Sequence, residues 1–437
     1  MKLLSKSLNQ VVPYLSAYDQ PEVPEGALDP LGLYPISDAI TVKYLCPGIR
    51  ERQKHPGFLA TIAIGASVTE SFTESYLNDK VVTPMQVFEW YVVHALVKTY
   101  GASKPKRLTG LPGREKVATA LMQSACVTEG NYLKTPAVFG FYGVYKVLAR
   151  ELDVLSGDSM GPDCARLKMA WEQDVKNDIG DLRKYYDLVH EAVTYGLNNH
   201  KTQKIWKHWE TFARPLVTND PGKKSSAVIW ELLTDINVKL RSEYFQFIVK
   251  QGAKVITTDS EINEKVLHAE LLKSASSDMT AIIKNIQLYE EFSRLITDAF
   301  YHILYVASKS EKKVSPSELT SLSSVKAAIK RLPIIRDKLQ DGLARYNLDF
   351  RFNAFLNLFN TTGNKEEWVN ALLGHHVKNQ QDKLPNGKMP FFDYFDDGTI
   401  RTRHAYQQAS APTEAGDYVH AYRLASLWSF AEDIGKV

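Results

Sequence analysis

One run of residues limits the fold of this chain more than any other. Ile282, Ile286, Tyr289, Ile296, Phe300 and Ile303 recur at steps of three, four and seven. On a helix that spacing keeps one apolar stripe over about six turns, each advancing ~5.4 Å. A stripe that long must be covered, and neighbouring helices cover it most readily. The spacing therefore predicts a packed, mainly α protein.

Flanking segments repeat the theme. Ser37 is placed to cap DAITVKYL, which Pro47 and Gly48 end, and Pro56 suits the first turn of GFLATIAIGASVTESF. Thr83 and Pro84 open MQVFEWYVVHALVKTY before Gly101 stops it. Val87, Trp90, Tyr91, His94 and Val97 mark its buried face, so His94 reads as a core histidine. Helices are predicted at 114–125 and at 136–155, the second capped by Thr135. As a helix pair joined by a turn they allow a winged-helix-like reading of 110–155. Trp206 and Trp209 anchor a short helix, Ser225 or Ser226 starts one at 227–251, and Ser323 opens another that Pro333 kinks. The proline-rich stretch 16–35 is predicted to wrap over a surface. No fixed-period repeat stands out.

The length of 437 residues and 44% hydrophobic content suit two or three well-buried domains. We divide them as 1–155, 156–345 and 346–437. With 53 basic against 50 acidic residues, nucleic-acid contact would have to be local. The local candidate is KPKRLTGLPGREK. There Lys104, Lys106, Arg107 and Arg114 lie on a Gly/Pro-rich connector, and Lys146 and Arg150 share a face of the following helix with Tyr142. Cys46, Cys126 and Cys164 are too far apart for a CxxC pair and read as reduced thiols. No apolar run reaches the ~18 residues of a membrane span, and the opening residues lack a signal-like core. The expectation is a cytoplasmic protein with no membrane contact.

Polar chemistry concentrates near the C-terminus. Four of the eleven histidines, His375, His376, His404 and His420, fall there with Lys383, Arg401, Arg403 and Arg423. Asn364 is placed to cap KEEWVNALLGHHVKNQQDK. MPFFDYF and TIRTRHAY flank Asp396, Asp397 and Gly398, the signature of a β-hairpin, and a last helix starts at Asp417. Adjacent helical histidines point about 100° apart and no HExxH occurs, which argues against a metal site. Gln381, Asp382 and Lys383 lack the spacing of nuclease carboxylate motifs, although Arg401 and Arg403 could hold a phosphate. The reading we favour is that these side chains fasten a hairpin between helices. Phosphate-loop, dinucleotide and nucleophile-elbow motifs are absent from the sequence, and no cofactor is implied.

The segments DPLGL (29–33), LCPGIRERQKHPGFL (45–59), FGFYGVYKVLARELDVL (139–155), HHVKNQQDK, DDGTIRTRHAY and YVHAYR together resemble a bacterial protein family associated with phage-defence gene clusters. The resemblance spreads over much of the chain and brings no catalytic residues with it. It implies a part in antiviral defence beside a helicase, nuclease or ATPase. The combined expectation is a mainly α multi-helix bundle with a small C-terminal α+β unit containing one β-hairpin. It would serve as a non-catalytic scaffold or recognition subunit that can contact double-stranded DNA. Two alternatives stay open. One is a stand-alone DNA-binding protein. The other is a nuclease-like enzyme using His376, Lys383, Arg403 and His420.

Overall fold

In the computed structural model the stripe lies on a helix spanning Ser277–Lys309, and all six of its residues are fully buried. The structure describes residues 29–72, 82–101, 103–216, 219–252, 263–310, 313–357, 359, 364–383, 387–413 and 416–437. Most of the predicted proline-rich wrap lies outside these. Among the described residues, helices dominate and β-structure is limited to two short antiparallel hairpins and two isolated bridges. The chain is mainly α, with a small α+β unit near its C-terminus.

Backbone contacts divide it into two units. The smaller comprises Met1–Ile40 and Thr280–His420, the larger Thr41–Met279 and Ala421–Val437.

In the smaller unit the long helix is covered by aromatic contacts. Phe292 meets Phe352 and Phe355 at 4.9 and 5.6 Å between ring centroids, and Phe300 meets His376 at 4.6 Å. Each buried ring of this kind contributes roughly 1.5–3 kcal/mol. The Lys365–Gln381 helix begins as its sequence implies, with the Asn364 side chain accepting from the Glu366 and Glu367 amides. Its Trp368, Leu372, His376 and Gln380 form a buried flank. The hairpin pairs Phe392–Tyr394 with Ile400–Thr402 across a turn in which Gly398 has φ 77°. Val314 adds a bridge to its outer strand through two backbone bonds with Ile400 of 3.0 and 2.9 Å. The Ser323–Ala344 helix continues through Pro333.

In the larger unit the Pro84–Tyr100 helix is buried on nearly every side rather than on one face. The Phe58–Thr69, Arg114–Met122, Leu182–Asn199 and Trp209–Ala213 helices all pack on it. Thr83 caps it by accepting from the Gln86 amide, and its His94 is the core histidine expected. His94 stacks on Trp209 at 3.8 Å and bonds Thr202 through Nδ1, and burial pushes its pKa down to about 3.

Several boundaries differ from expectation. Ser37 is buried inside the Tyr34–Ile40 helix. Asp29 is the cap, its carboxylate accepting from the Leu33 and Tyr34 amides at 3.0 Å each. The 136–155 helix breaks at Gly140 into Pro136–Phe139 and Phe141–Glu151, and the Thr135 side chain makes no cap bond. A hairpin unforeseen from sequence follows, Leu155–Ser156 with Ser159–Met160, turning at Gly157. Its strands are too short to show alternation. The 227–251 helix is two helices, Lys223–Leu233 and Lys239–Gln251. Arg241 explains the break: its guanidinium donates to the carbonyls of Leu232 and Leu233, satisfying the first helix's last turn. The final helix is Leu424–Asp433, starting seven residues later than predicted. Glu264 supplies its cap, accepting from the Tyr422 and Leu424 amides.

Candidate functional site

The sequence-predicted C-terminal cluster lies mostly within the smaller unit, where His376 is fully buried. Its Nδ1 donates to the Pro30 carbonyl at 2.8 Å, and its Nε2 accepts from the Phe391 amide at 3.0 Å. These partners fix one tautomer, and burial pushes the pKa down to about 4. His375 bonds the Leu31 carbonyl at 2.7 Å and Asn379 the Asp29 carbonyl at 3.0 Å. The divergence of the adjacent histidines thus serves two successive carbonyls of the DPLGL segment. Tyr289 donates to a fourth position in it, the Leu33 carbonyl, at 2.6 Å.

Arg403 pairs with Asp393 through Nε at 3.0 Å and donates its backbone amide to the Phe391 carbonyl, also at 3.0 Å. His376 and Arg403 are therefore brought together, one on each side of Phe391. His420 is elsewhere. It bonds Glu290 at 2.8 Å and stacks on Tyr289, while His376 packs on Phe300 of the same helix. Ten residues along a helix separate those contacts by ~15 Å. Lys383 is half-buried just past the Lys365–Gln381 helix, and His404 is exposed. Among the described residues no group of three or more His, Cys, Asp or Glu is spaced to hold a metal ion.

The basic residues belong to the larger unit. Lys104 and Arg107 are exposed, and Arg107 lies over the Tyr100 ring at 5.2 Å. The Lys106 side chain lies outside the described residues. Arg114 is half-buried beside Glu115, at 3.4 Å. Lys146 and Arg150 share a face, as predicted, but both pair with Asp158, the second at 3.1 Å. Tyr142 donates to the same carboxylate oxygen at 2.9 Å. Partial burial raises the Asp158 pKa, yet these donors outweigh it and hold the group below its usual range.

Beside that cluster runs a cleft of about 350 Å³ lined by Phe72, Met85, Pro136, Ala137 and Tyr142 together with polar residues that include Gln86, Glu89, Lys146 and Asp158. Sequence reasoning missed Glu89, which sits among the apolar residues of the Pro84–Tyr100 helix. The one available signal was a lone acid inside a run of buried positions. Its Oε1 accepts from the Tyr132 hydroxyl at 2.8 Å and its Oε2 from the Tyr142 amide at 2.9 Å. Burial pushes its pKa up to about 7, against the lowering effect of both donors. Gly140 makes this possible, since a Cβ there would lie 1.9 Å from Oε1.

The chain matches no family model, and comparison with the curated proteins and with the solved structures returned no match.

Proposed function

We propose that this protein is a non-catalytic scaffold or recognition subunit of a multi-protein assembly. The observation that carries the reading is His376. It is one of the four residues that the nuclease-like alternative would use, and both its ring nitrogens are held by backbone groups. A general base needs a nitrogen within reach of a substrate proton. Arg403 and His420 likewise face internal carboxylates, Asp393 and Glu290. Side chains that fasten an N-terminal segment and a hairpin leave helical surfaces as the working part. On the segment resemblance alone, we read the assembly as one of bacterial antiviral defence, with a helicase, nuclease or ATPase as partner.

Contact with double-stranded DNA is a second reading, favoured by the exposure of Lys104 and Arg107 on one connector. The Asp158 pairing of Lys146 and Arg150 weighs against a longer basic face.

Co-expression with the proteins encoded beside it, followed by native mass spectrometry, tests the proposal. The expected result is a complex of fixed ratio, and no turnover of DNA, RNA or nucleotides by the isolated chain with Mg²⁺ or Mn²⁺. Turnover by the isolated monomer overturns it.

A further inference from the structure

The cleft beside Glu89 has a chemistry the scaffold reading does not use. Its lining joins the apolar Phe72, Met85 and Pro136 to polar residues such as Gln86, Lys146 and Asp158, and it includes the Glu89 carboxyl, drawn into the protein and 2% exposed. Burying a carboxylate is costly unless donors or a cation compensate it. Tyr132 and the Tyr142 amide supply one hydrogen bond to each oxygen. A carboxylate offers about four acceptor directions, so capacity remains on both oxygens. Lys146, the cation nearest in the lining, is paired with Asp158.

A purely structural account is available. Glu89 places an acid at the N-terminus of the Phe141–Glu151 helix, where the macrodipole favours negative charge. Yet a helix is ordinarily capped by a Ser, Thr, Asp or Asn at the cap position itself. Here that position is Gly140, which makes no side-chain cap bond and leaves the space that Glu89 fills. The local cap is replaced by a carboxylate that reaches from another helix and lines the cleft.

The geometry points to a binding site for a small organic cation: an amine, amidine or guanidine whose N–H groups meet Glu89 while an apolar body lies against Phe72, Met85 and Pro136. The volume of about 350 Å³ is roughly twice that of cavities of ~150 Å³ that take up benzene, so the body has one or two rings. Anionic ligands are disfavoured by the same carboxylate. Binding a cation would also draw Glu89 back to its ionised form. The other groups beside it are Tyr132, Tyr142 and the Lys146–Arg150–Asp158 cluster, which carries one net positive charge.

Calorimetric titration of the full chain at neutral pH with tryptamine and benzamidine tests the site, with indole and benzyl alcohol as uncharged probes and benzoate as the anion. We expect at least one cation to bind at least about tenfold more tightly than the uncharged probes, as a charge-assisted bond requires, and benzoate not to bind. Glu89→Gln should weaken that cation at least about tenfold. Should that variant not fold, Ala137→Trp decides. Ala137 lines the cleft and is exposed, so a larger ring there takes up cleft volume from the solvent side. Retained binding in Ala137→Trp, equal binding of charged and uncharged probes, or no binding of either cation up to about 10 mM overturns the assignment.

Discussion

Two polar centres in this protein are both built on buried side chains held by backbone groups, and they differ in what surrounds them. In the smaller unit both ring nitrogens of His376 are held by backbone groups, His375 and Asn379 each bond a backbone carbonyl, Arg403 pairs with Asp393, and Phe300 packs on the His376 ring. In the larger unit Glu89 meets two donors and then a cleft. The first arrangement resembles mortar: side chains tied to backbone groups and to one internal carboxylate. The second has a charge and adjacent volume, which is what a ligand needs. Density of chemically interesting residue types is therefore a poor guide to where chemistry or binding happens. Space beside an incompletely surrounded charge is a better one.

The sharpest test of the first centre is His376→Ala. It leaves the Pro30 carbonyl and the Phe391 amide without their bonds and opens a hole beside Phe300. Each unsatisfied buried group costs about 1–3 kcal/mol, so the expected loss is on the order of 3–5 kcal/mol. Urea unfolding followed by tryptophan fluorescence measures it. A loss below about 1 kcal/mol would mean the knot does not hold the DPLGL segment in place.

Acid should separate the two centres by sign. The pKa of His376 is pushed down by burial to about 4, and those of two buried histidines of the larger unit, His94 and His268, to about 3. Their contribution is present above the unfolded value near 6.5 and is lost as pH falls toward the folded values, because the unfolded chain takes up protons that the folded one refuses. Glu89 runs the other way. Raised from 4.5 to about 7, it keeps a proton the unfolded chain has released, so its contribution is present at low pH and is lost as pH rises from 4.5 through 7. At ~1.4 kcal/mol per unit this amounts to about 3 kcal/mol. The destabilisation caused by Glu89→Gln should therefore be larger at pH 5 than at pH 8, measured by paired urea melts. A pH-independent difference would show that Glu89 is not held in its neutral form.

Gly140→Ala addresses the same carboxylate by crowding. The added Cβ would lie 1.9 Å from Oε1, so Glu89 must move off Tyr132 or off the Tyr142 amide. Overpacking of this kind costs typically 1–3 kcal/mol. A thermal melt reads the loss, and an unchanged melting temperature would show that the carboxylate relocates freely.

Much of the helical plan was legible because it depends on local rules. The stripe on Ser277–Lys309, the Thr83 and Asn364 caps and the Asp-Gly hairpin each follow from spacing or from one residue's conformational preference. What was illegible depends on partners distant in sequence. Asp29 displaced Ser37 as a cap, Glu264 caps a helix 160 residues later, and Arg241 closes the helix before its own. The C-terminal histidines were singled out by type, but their roles are set by carbonyls at Pro30 and Leu31 some 345 residues away. Glu89 gave almost no signal, because an acid among apolar residues looks the same whether it borders a cleft or not.

The smallest expected effect bears on the boundary between the two kinds of centre. Asp158 gathers Lys146, Arg150 and Tyr142 at an exposed edge of the cleft, so this cluster is tied internally like the first centre but solvent-facing like neither. Exposed pairs of this sort contribute about 0–1 kcal/mol, and Asp158→Asn should change stability by no more than that. Its electrostatic consequence is larger. Removing the acid releases Lys146 and Arg150, two of the cations that the DNA reading names. If Lys104 and Arg107 do engage phosphates, the variant should bind duplex DNA more tightly than the parent. Its log–log salt dependence should then be steeper by about 0.9 per added contact. A parent and variant with equally flat salt responses would remove DNA from the list of partners and leave the helical surfaces to proteins.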